Sequence, residues 1–283
     1  MTELTSFKIK IPSDQPIPEP LKCEFCGNTL PYNALVLFGA VQQWVETECD
    51  CNQAIAWRAE QQKAEEERLQ AEQLERERLE NIERIQQMLG NSGIKKRFLS
   101  RTMATFQETE ENRMALAIAQ EYIKNYDKYR EQGIGLYFEG STGTGKTHLA
   151  VAVALQLISN GVPVLFRTFG ELLLELRKTF NPRSTITEDQ ILSVYREAEL
   201  LVIDDLGKET PSEWTIDRLY YIINDRYENM LPTIITTNYN QTDLIKRLTP
   251  KGGDSKTAAA VVSRLHECAD VVSMIGEDWR ARK

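Results

Sequence analysis

From Ile94 onward, short apolar runs alternate with segments in which apolar residues recur at helical spacing. Short runs of β-branched and aromatic residues are typical of buried strands, whereas spacings of three and four residues are typical of amphipathic helices. The alternation predicts an α/β fold with an open parallel sheet and right-handed crossovers. The predicted strands are 135–139, 163–168, 200–204, 232–237 and 270–275, with helices in the intervals.

Residues 57–89 have a different pattern, because they are rich in Glu, Arg, Gln and Ala and contain no proline or glycine. This composition predicts one long charged helix that ends in the glycine-containing stretch 90–93. Opposite charges at helical spacing, such as Glu72 with Arg76, stabilise such a helix locally. The apolar seam is thin and irregular, so a solvated linker is favoured over a self-associating coiled coil.

These patterns divide the chain into three predicted parts: a polar tail with a cysteine-bearing module (1–56), a helical linker (57–93) and the α/β domain (94–283). The formal net charge of −8 disfavours constitutive tight binding to duplex DNA. The chain has neither an apolar stretch long enough for a membrane span nor the pattern of a signal peptide. A cytoplasmic protein with reduced cysteines is therefore expected.

A phosphate-loop pattern follows the first predicted strand of the α/β domain. Residues 140–147 have the sequence Gly-Ser-Thr-Gly-Thr-Gly-Lys-Thr, and an amphipathic helix is predicted directly after them. The glycines let backbone N–H groups turn toward phosphate oxygens, and the helix N-terminus adds partial positive charge. Lys146 is predicted to reach the β and γ phosphates, and the Thr147 hydroxyl to bind Mg²⁺. The alternative is a chance glycine-rich turn. The residues expected to contact ATP or ADP here are Gly140, Ser141, Thr142, Gly143, Thr144, Gly145, Lys146, Thr147 and His148.

Two later strands end in polar side chains. The apolar run 200–203 is followed by Asp204 and Asp205, and the run 232–237 by Asn238. Ligands of parallel sheets lie at the carboxyl ends of the strands. We predict that Asp204 holds Mg²⁺, that Asp205 orients or deprotonates the attacking water, and that Asn238 positions this water or the γ phosphate. Ordinary turn chemistry is the alternative for all three residues.

Four of the five cysteines form two pairs, Cys23 with Cys26 and Cys49 with Cys51. A pair with two intervening residues directs both thiolates at one metal ion, and two such pairs make a tetrahedral site. The second pair has only one intervening residue, and both histidines lie far along the chain. A module this small cannot keep a firm apolar core unaided, so structural Zn²⁺ is predicted. A redox pair or four unrelated thiols are the alternatives.

Five further runs of the α/β domain carry a family resemblance in combination: Ile94–Phe106, Val164–Leu172, Leu201–Gly207, Ile223–Tyr227 and Ile235–Tyr239. Together with the phosphate loop, they resemble the DnaC-type and IstB-type AAA+ ATPases over about residues 94–283. The resemblance implies an AAA+ P-loop ATPase, here with Asp205 in place of the glutamate common in such enzymes. Few residues follow the last predicted strand, so no C-terminal helical lid is expected.

A zinc-bearing N-terminal region joined to such an ATPase resembles bacterial and phage helicase loaders of the DnaC and DnaI kind. The resemblance implies ATP hydrolysis, self-assembly through ATPase interfaces, and placement of a DnaB-type replicative helicase on single-stranded DNA. The N-terminal region would bind the helicase. Two alternatives stay open: an IstB-like transposition helper, which the four-cysteine module disfavours, and a nucleotide-dependent adaptor with little hydrolysis.

The resemblance also implies roles for residues outside the phosphate loop. Arg264 would reach the γ phosphate bound by a neighbouring subunit and act in hydrolysis there, and Arg280 would contact the nucleotide as a sensor. A helix-surface arginine and a solvated tail residue are the respective alternatives. The region 169–198 is predicted to hold two helices with a leucine core. Its candidates for binding single-stranded DNA are Lys178, Phe180 and Arg183.

Overall fold

A computed structural model describes residues 18–37, 40–178, 187–276 and 278–279. The chain groups into two units, Met1–Leu79 and Glu80–Lys283. The first unit contains two antiparallel strand pairs. Their strands are β1 (Leu21–Lys22), β2 (Thr29–Leu30), β3 (Tyr32–Leu37) and β4 (Ala40–Glu46).

Helix α1 (Asn52–Ser92) begins in the first unit and ends in the second. The prediction of one long helix is confirmed, although the helix begins earlier than 57, directly after the cysteine pair, and continues through Gly90. It ends within the predicted stretch, where Gly93 has a φ of +82°. A Cβ atom at Gly93 would lie 2.7 Å from the carbonyl oxygen of Phe166, so this position needs glycine.

The second unit is built on a five-stranded parallel sheet with the strand order β6-β7-β8-β5-β9. All five predicted strands are present, and their observed ends differ from the predicted ends by at most two residues. The strands are β5 (Gly135–Gly140), β6 (Val164–Thr168), β7 (Leu200–Leu206), β8 (Thr233–Thr237) and β9 (Ala269–Met274). The helices are α2 (Arg113–Lys124), α3 (Tyr126–Glu131), α4 (Lys146–Ser159), α5 (Phe169–Lys178), α6 (Glu188–Glu197), α7 (Glu213–Glu228), α8 (Gln241–Leu248) and α9 (Lys256–Glu267).

Helices cover both faces of this sheet, so the strands are apolar on both sides. In β7, Leu201 and Ile203 belong to one buried cluster, whereas Leu200 and Val202 belong to the other. This division follows from the period of two along a strand. It also explains why the sequence shows continuous apolar runs rather than alternation.

The predicted helix pair between β6 and β7 is confirmed by α5 and α6, and the α5 leucines 172, 173 and 176 are buried as expected. Lys178 lies in the last turn of α5 and is exposed. The other two candidates for DNA binding, Phe180 and Arg183, lie outside the described residues. Within the described ranges, no helix is both long and apolar enough to cross a membrane.

Candidate nucleotide site and metal centre

The phosphate loop connects the end of β5 to the start of α4, as predicted. Gly143 and Gly145 have φ values of +82° and +100°, which are costly for other residues. The Lys146 ammonium lies beneath the loop and donates to the carbonyl oxygens of Gly140 (2.8 Å) and Ser141 (2.6 Å). With 5% of Lys146 exposed, the cation is held at the loop rather than in solvent.

The two predicted magnesium ligands are hydrogen-bonded to each other. The Thr147 hydroxyl donates to Asp204 Oδ1 at 2.8 Å, and the Thr236 hydroxyl donates to the same oxygen at 2.6 Å. Burial raises the pKa of Asp204, and these two hydrogen bonds oppose the shift. A buried carboxylate beside a threonine hydroxyl is the oxygen donor set that Mg²⁺ prefers, so both residues fit this ion.

The second acid, Asp205, lies at the same edge of the sheet. Its φ is +59°, a strained value for a residue other than glycine, and its N–H donates to the Thr236 hydroxyl at 2.9 Å. Its carboxylate forms an ion pair with Lys208, with 3.1 Å between Nζ and Oδ2. Asp205 lines the same cavity as the phosphate loop.

The predicted loop, strand-end acid and amide meet in one cavity of about 470 Å³, a typical volume for a small-molecule site. Three of its lining residues, Arg101, Lys208 and Trp279, were not predicted. All three lie outside the helices and strands named above. The family resemblance pointed to the segments around Arg101 and Trp279, but no motif in the sequence pointed to these residues themselves. The lining residues are Arg101, Thr142, Gly143, Gly145, Lys146, Thr147, His148, Asp205, Lys208, Asn238 and Trp279.

A second cavity of about 500 Å³ adjoins the first and shares several lining residues with it. Phe106 and Trp279 both line it, and the Trp279 N–H donates to the carbonyl oxygen of Gly143 at 3.3 Å. His148 packs against Phe106 with 5.2 Å between ring centroids, and its Nε2 lies 2.9 Å from the carbonyl oxygen of Thr102. Burial lowers the pKa of His148. Because a carbonyl oxygen can only accept, Nε2 is the donor to Thr102.

Arg264 does not belong to the described lining of either cavity. It lies in α9 with its guanidinium over the rings of Tyr220 (4.9 Å) and Tyr227 (5.8 Å). One nitrogen donates to the Tyr220 hydroxyl at 3.2 Å, while its Nε has no hydrogen-bond partner among the described residues. The predicted sensor residue, Arg280, lies outside the described residues.

The four clustered cysteines meet in the first unit, with all their sulfur atoms within 4.8 Å of one another. The Sγ atoms of Cys23 and Cys51 are 3.9 Å apart, and those of Cys26 and Cys49 are 3.5 Å apart. A tetrahedral zinc ion with 2.3 Å bonds needs sulfur atoms about 3.8 Å apart. The buried cluster here consists of Cys23, Cys49 and Ala54, so the described apolar core is small. The arrangement fits structural Zn²⁺.

Comparison with known proteins identifies the family. Residues 51–283 match the family of IstB-like ATP binding proteins, and the chain belongs to that family. The replicative helicase loader DnaC of Escherichia coli K12 is 30% identical over 58% of this chain and 66% of its own length. The loader DnaI of Bacillus subtilis is 25% identical over 69% of this chain and 65% of its own length. The chain thus spans just under two thirds of these two relatives.

Solved structures agree with the fold. A crystal structure of the DnaC helicase loader has a TM-score of 0.55 and 30% identity, and the match covers 64% of this chain and 99% of that one. The structure of AMPPCP-bound DnaA from Aquifex aeolicus has a TM-score of 0.50 and 22% identity. That match covers 62% of this chain and 50% of the DnaA chain. The second unit therefore has the predicted AAA+ P-loop fold.

Proposed function

We propose that this protein binds and hydrolyses ATP with Mg²⁺ and uses the nucleotide to place a replicative hexameric helicase on single-stranded DNA. The observation that supports this best is the hydrogen bond between Thr147 and Asp204 beside the Lys146 ammonium. Lys146 and Thr147 line one cavity, and the hydrogen bond holds the second predicted magnesium ligand, Asp204, against Thr147. The similarity to DnaC and DnaI loaders supports the helicase as partner.

In the proposed reaction, the phosphate loop and Lys146 hold the β and γ phosphates of ATP. Thr147 and Asp204 would bind Mg²⁺, which supplies positive charge to the phosphates when bound. Asp205 accepts a proton from the attacking water or orients it, and Asn238 holds the water or the γ phosphate by hydrogen bonds. Arg264 of a neighbouring subunit stabilises the charge that develops on the γ phosphate.

The adjoining cavity is the proposed place of the nucleotide base. Two aromatic side chains, Phe106 and Trp279, line it, and His148 lines both this cavity and the phosphate cavity. A flat base binds well against aromatic rings. His148 would therefore lie near the junction of base, sugar and phosphates, in agreement with its predicted place among the nucleotide contacts.

We further propose that the chain has three functional parts. These are a tail with a zinc module (1–56), a helical linker (57–93) and an ATPase domain (94–283). The cysteine cluster supports a helicase-binding role for the first part. Its four thiolates would fill a tetrahedral metal site, which leaves no open position for catalysis. The same cluster favours a loader over a transposition helper. The alternative is an adaptor that binds ATP but hydrolyses little of it. Only a measured rate of ATP hydrolysis distinguishes this adaptor from a loader that is driven by hydrolysis.

Purified protein is expected to contain about one zinc ion per chain, because one tetrahedral site binds one ion. Cys26→Ser should lose the metal and expose residues 21–56 to protease, since folding of so small a module depends on the ion. Cys268→Ser is the matched control, because this fifth cysteine lies in the second unit and should keep the zinc. Zinc-free wild-type protein with a protease-resistant N-terminal region would refute the metal site.

The same variants test the loader role by gel filtration with the replicative hexameric helicase. Wild-type protein and Cys268→Ser are expected to co-elute with the helicase. Cys26→Ser should not, yet it should keep its ATP-induced thermal stabilisation, because the nucleotide cavity lies in the other unit. If wild-type protein with zinc and ATP forms no complex with the helicase, the loader function is wrong.

A further inference from the structure

Three cations line the phosphate cavity in the described residues: Lys146, Arg101 and Lys208. The phosphate-loop motif accounts for Lys146 alone. The second cavity, where the base is proposed to lie, shares four lining residues with the first, but neither Arg101 nor Lys208 lines it. The shared residues are Gly143, Gly145, His148 and Trp279. Arg101 and Lys208 therefore lie in the part of the phosphate cavity that it does not share with the base cavity.

Lys208 is carried by a turn whose backbone is fixed. Its N–H donates to the carbonyl oxygen of Asp205 at 3.2 Å, and its own carbonyl oxygen accepts from Arg247 at 2.9 Å. Gly207, next to it, has a φ of +85° and packs so closely that a Cβ atom would lie 2.5 Å from Leu244. The ammonium itself is free to reorient, because 69% of the Lys208 side chain is exposed.

Arg101 is likewise held in place from both sides. Its N–H donates to the carbonyl oxygen of Phe98 at 2.9 Å, and its guanidinium lies 4.5 Å from the centre of the Phe98 ring. Phe98 packs edge-on against Phe166 in β6, with 6.2 Å between centroids. On the other side, the carbonyl oxygen of Thr102 is within 2.9 Å of His148 in α4. The segment thus fixes where the Arg101 side chain begins.

The charges of the lining residues agree with this placement. The described lining residues include three cations and one carboxylate, that of Asp205, so the cavity has an excess of positive charge that suits a polyphosphate.

We propose that Arg101 and Lys208 form a second phosphate clamp, supplied by the same chain, that binds the terminal phosphate and makes the site prefer ATP over ADP. This inference rests on the proposed nucleotide site. A γ-phosphate oxygen would compete with Asp205 for the Lys208 ammonium. ADP lacks the phosphate that reaches this part of the cavity, so it gains little from either cation.

The test is calorimetric binding of ADP and of a non-hydrolysable ATP analogue, both with Mg²⁺, to Arg101→Gln and Lys208→Gln. Each substitution is expected to weaken analogue binding about tenfold, the scale of one charge-assisted hydrogen bond. ADP binding should change less than about threefold, since only contacts to the terminal phosphate are lost. Lys208→Arg should retain most of the preference for the analogue, because it keeps the charge.

Two matched controls separate this clamp from a general effect of surface charge. Lys246 forms the same kind of ion pair with Asp243, at 3.1 Å and with 71% of its side chain exposed, yet it does not line the cavity. Arg97 lies in the same segment as Arg101 and is exposed. Lys246→Gln and Arg97→Gln should bind both ligands as the wild type does.

The outcomes are distinct. The clamp would be overturned if Arg101→Gln and Lys208→Gln lost equal affinity for the analogue and for ADP, or bound both ligands as the controls do. The proposed nucleotide site would still stand in that case if Lys146→Ala abolished binding. Faster turnover by Lys208→Gln with unchanged analogue affinity would also overturn it, because Lys208 would then only restrain Asp205. Failure of the wild-type protein to bind either ligand would instead refute the proposed function itself.

Discussion

Lys146→Ala is expected to lose most of the stabilisation that saturating ATP with Mg²⁺ gives the wild-type protein. At a ligand concentration one hundred times the dissociation constant, binding contributes about 2.7 kcal/mol to stability. For a domain of this size that is a rise in melting temperature of about 5 to 10 °C. The loss follows because Lys146 is the buried cation of the loop, held at the loop by hydrogen bonds to the Gly140 and Ser141 carbonyl oxygens.

Because Lys146 is buried, its replacement also affects the fold, and the thermal scan must separate the two effects. Lys146→Met keeps most of the side-chain volume without the charge. Without ATP it should melt at a higher temperature than Lys146→Ala, and ATP should raise its melting temperature as little. Lys246→Ala, on the exposed surface of α8, should respond to ATP as the wild type does. A full thermal shift in both Lys146 variants would show that ATP does not bind at this loop.

Arg264→Ala is expected to lower ATP turnover by about 10²-fold or more, in the range found when a transition-state donor is removed. ATP binding should be retained, because Arg264 does not belong to the described lining of its own chain's cavity. In its own chain the guanidinium lies over two tyrosine rings and donates to the Tyr220 hydroxyl, so its described contacts there are to α7 and α9 and not to the phosphate loop. Turnover should accordingly rise with protein concentration.

Mixing two inactive variants tests whether this arginine acts between subunits. Arg264→Ala supplies an intact phosphate loop, and Lys146→Ala supplies an intact arginine, so mixed interfaces should regain part of the lost turnover. Tyr227→Phe serves as a control for the packing around Arg264, since it keeps the ring under the guanidinium. If mixing restores nothing and wild-type turnover is independent of concentration, the arginine does not act in trans, and the adaptor function gains support.

Much of the second unit could be predicted because its signals are local in sequence. Both central strands are buried, so β7 appears as an apolar run and β8 as a β-branched run, each followed by polar residues. The phosphate loop depends on glycines at fixed spacing, and it adopts the expected left-handed conformations at Gly143 and Gly145. Parallel strands bring their carboxyl ends together, so the strand ends alone placed Asp204, Asp205 and Asn238 at one edge of the sheet.

The residues that escaped prediction are brought together by distant loops. Arg101 and Trp279 are far apart in sequence yet line the same cavity, and no spacing rule marks such a pair. Arg226, in the core, could not be predicted as buried from the sequence either. The residue is only 1% exposed, and its guanidinium donates to the carbonyl oxygens of Ala198 and Pro232. Burial lowers the pKa of Arg226 to about 10. A helical arginine in the sequence gives no sign of such burial.

The most direct test of the proposed function is helicase loading onto circular single-stranded DNA coated with single-strand binding protein. The measurement is the amount of replicative hexameric helicase retained on the DNA after gel filtration. With wild-type protein and ATP, retention should rise well above that of helicase alone, and Lys146→Ala should give no such rise. Equal retention with and without the wild-type protein, in the presence of ATP and zinc, would contradict the assignment as a helicase loader.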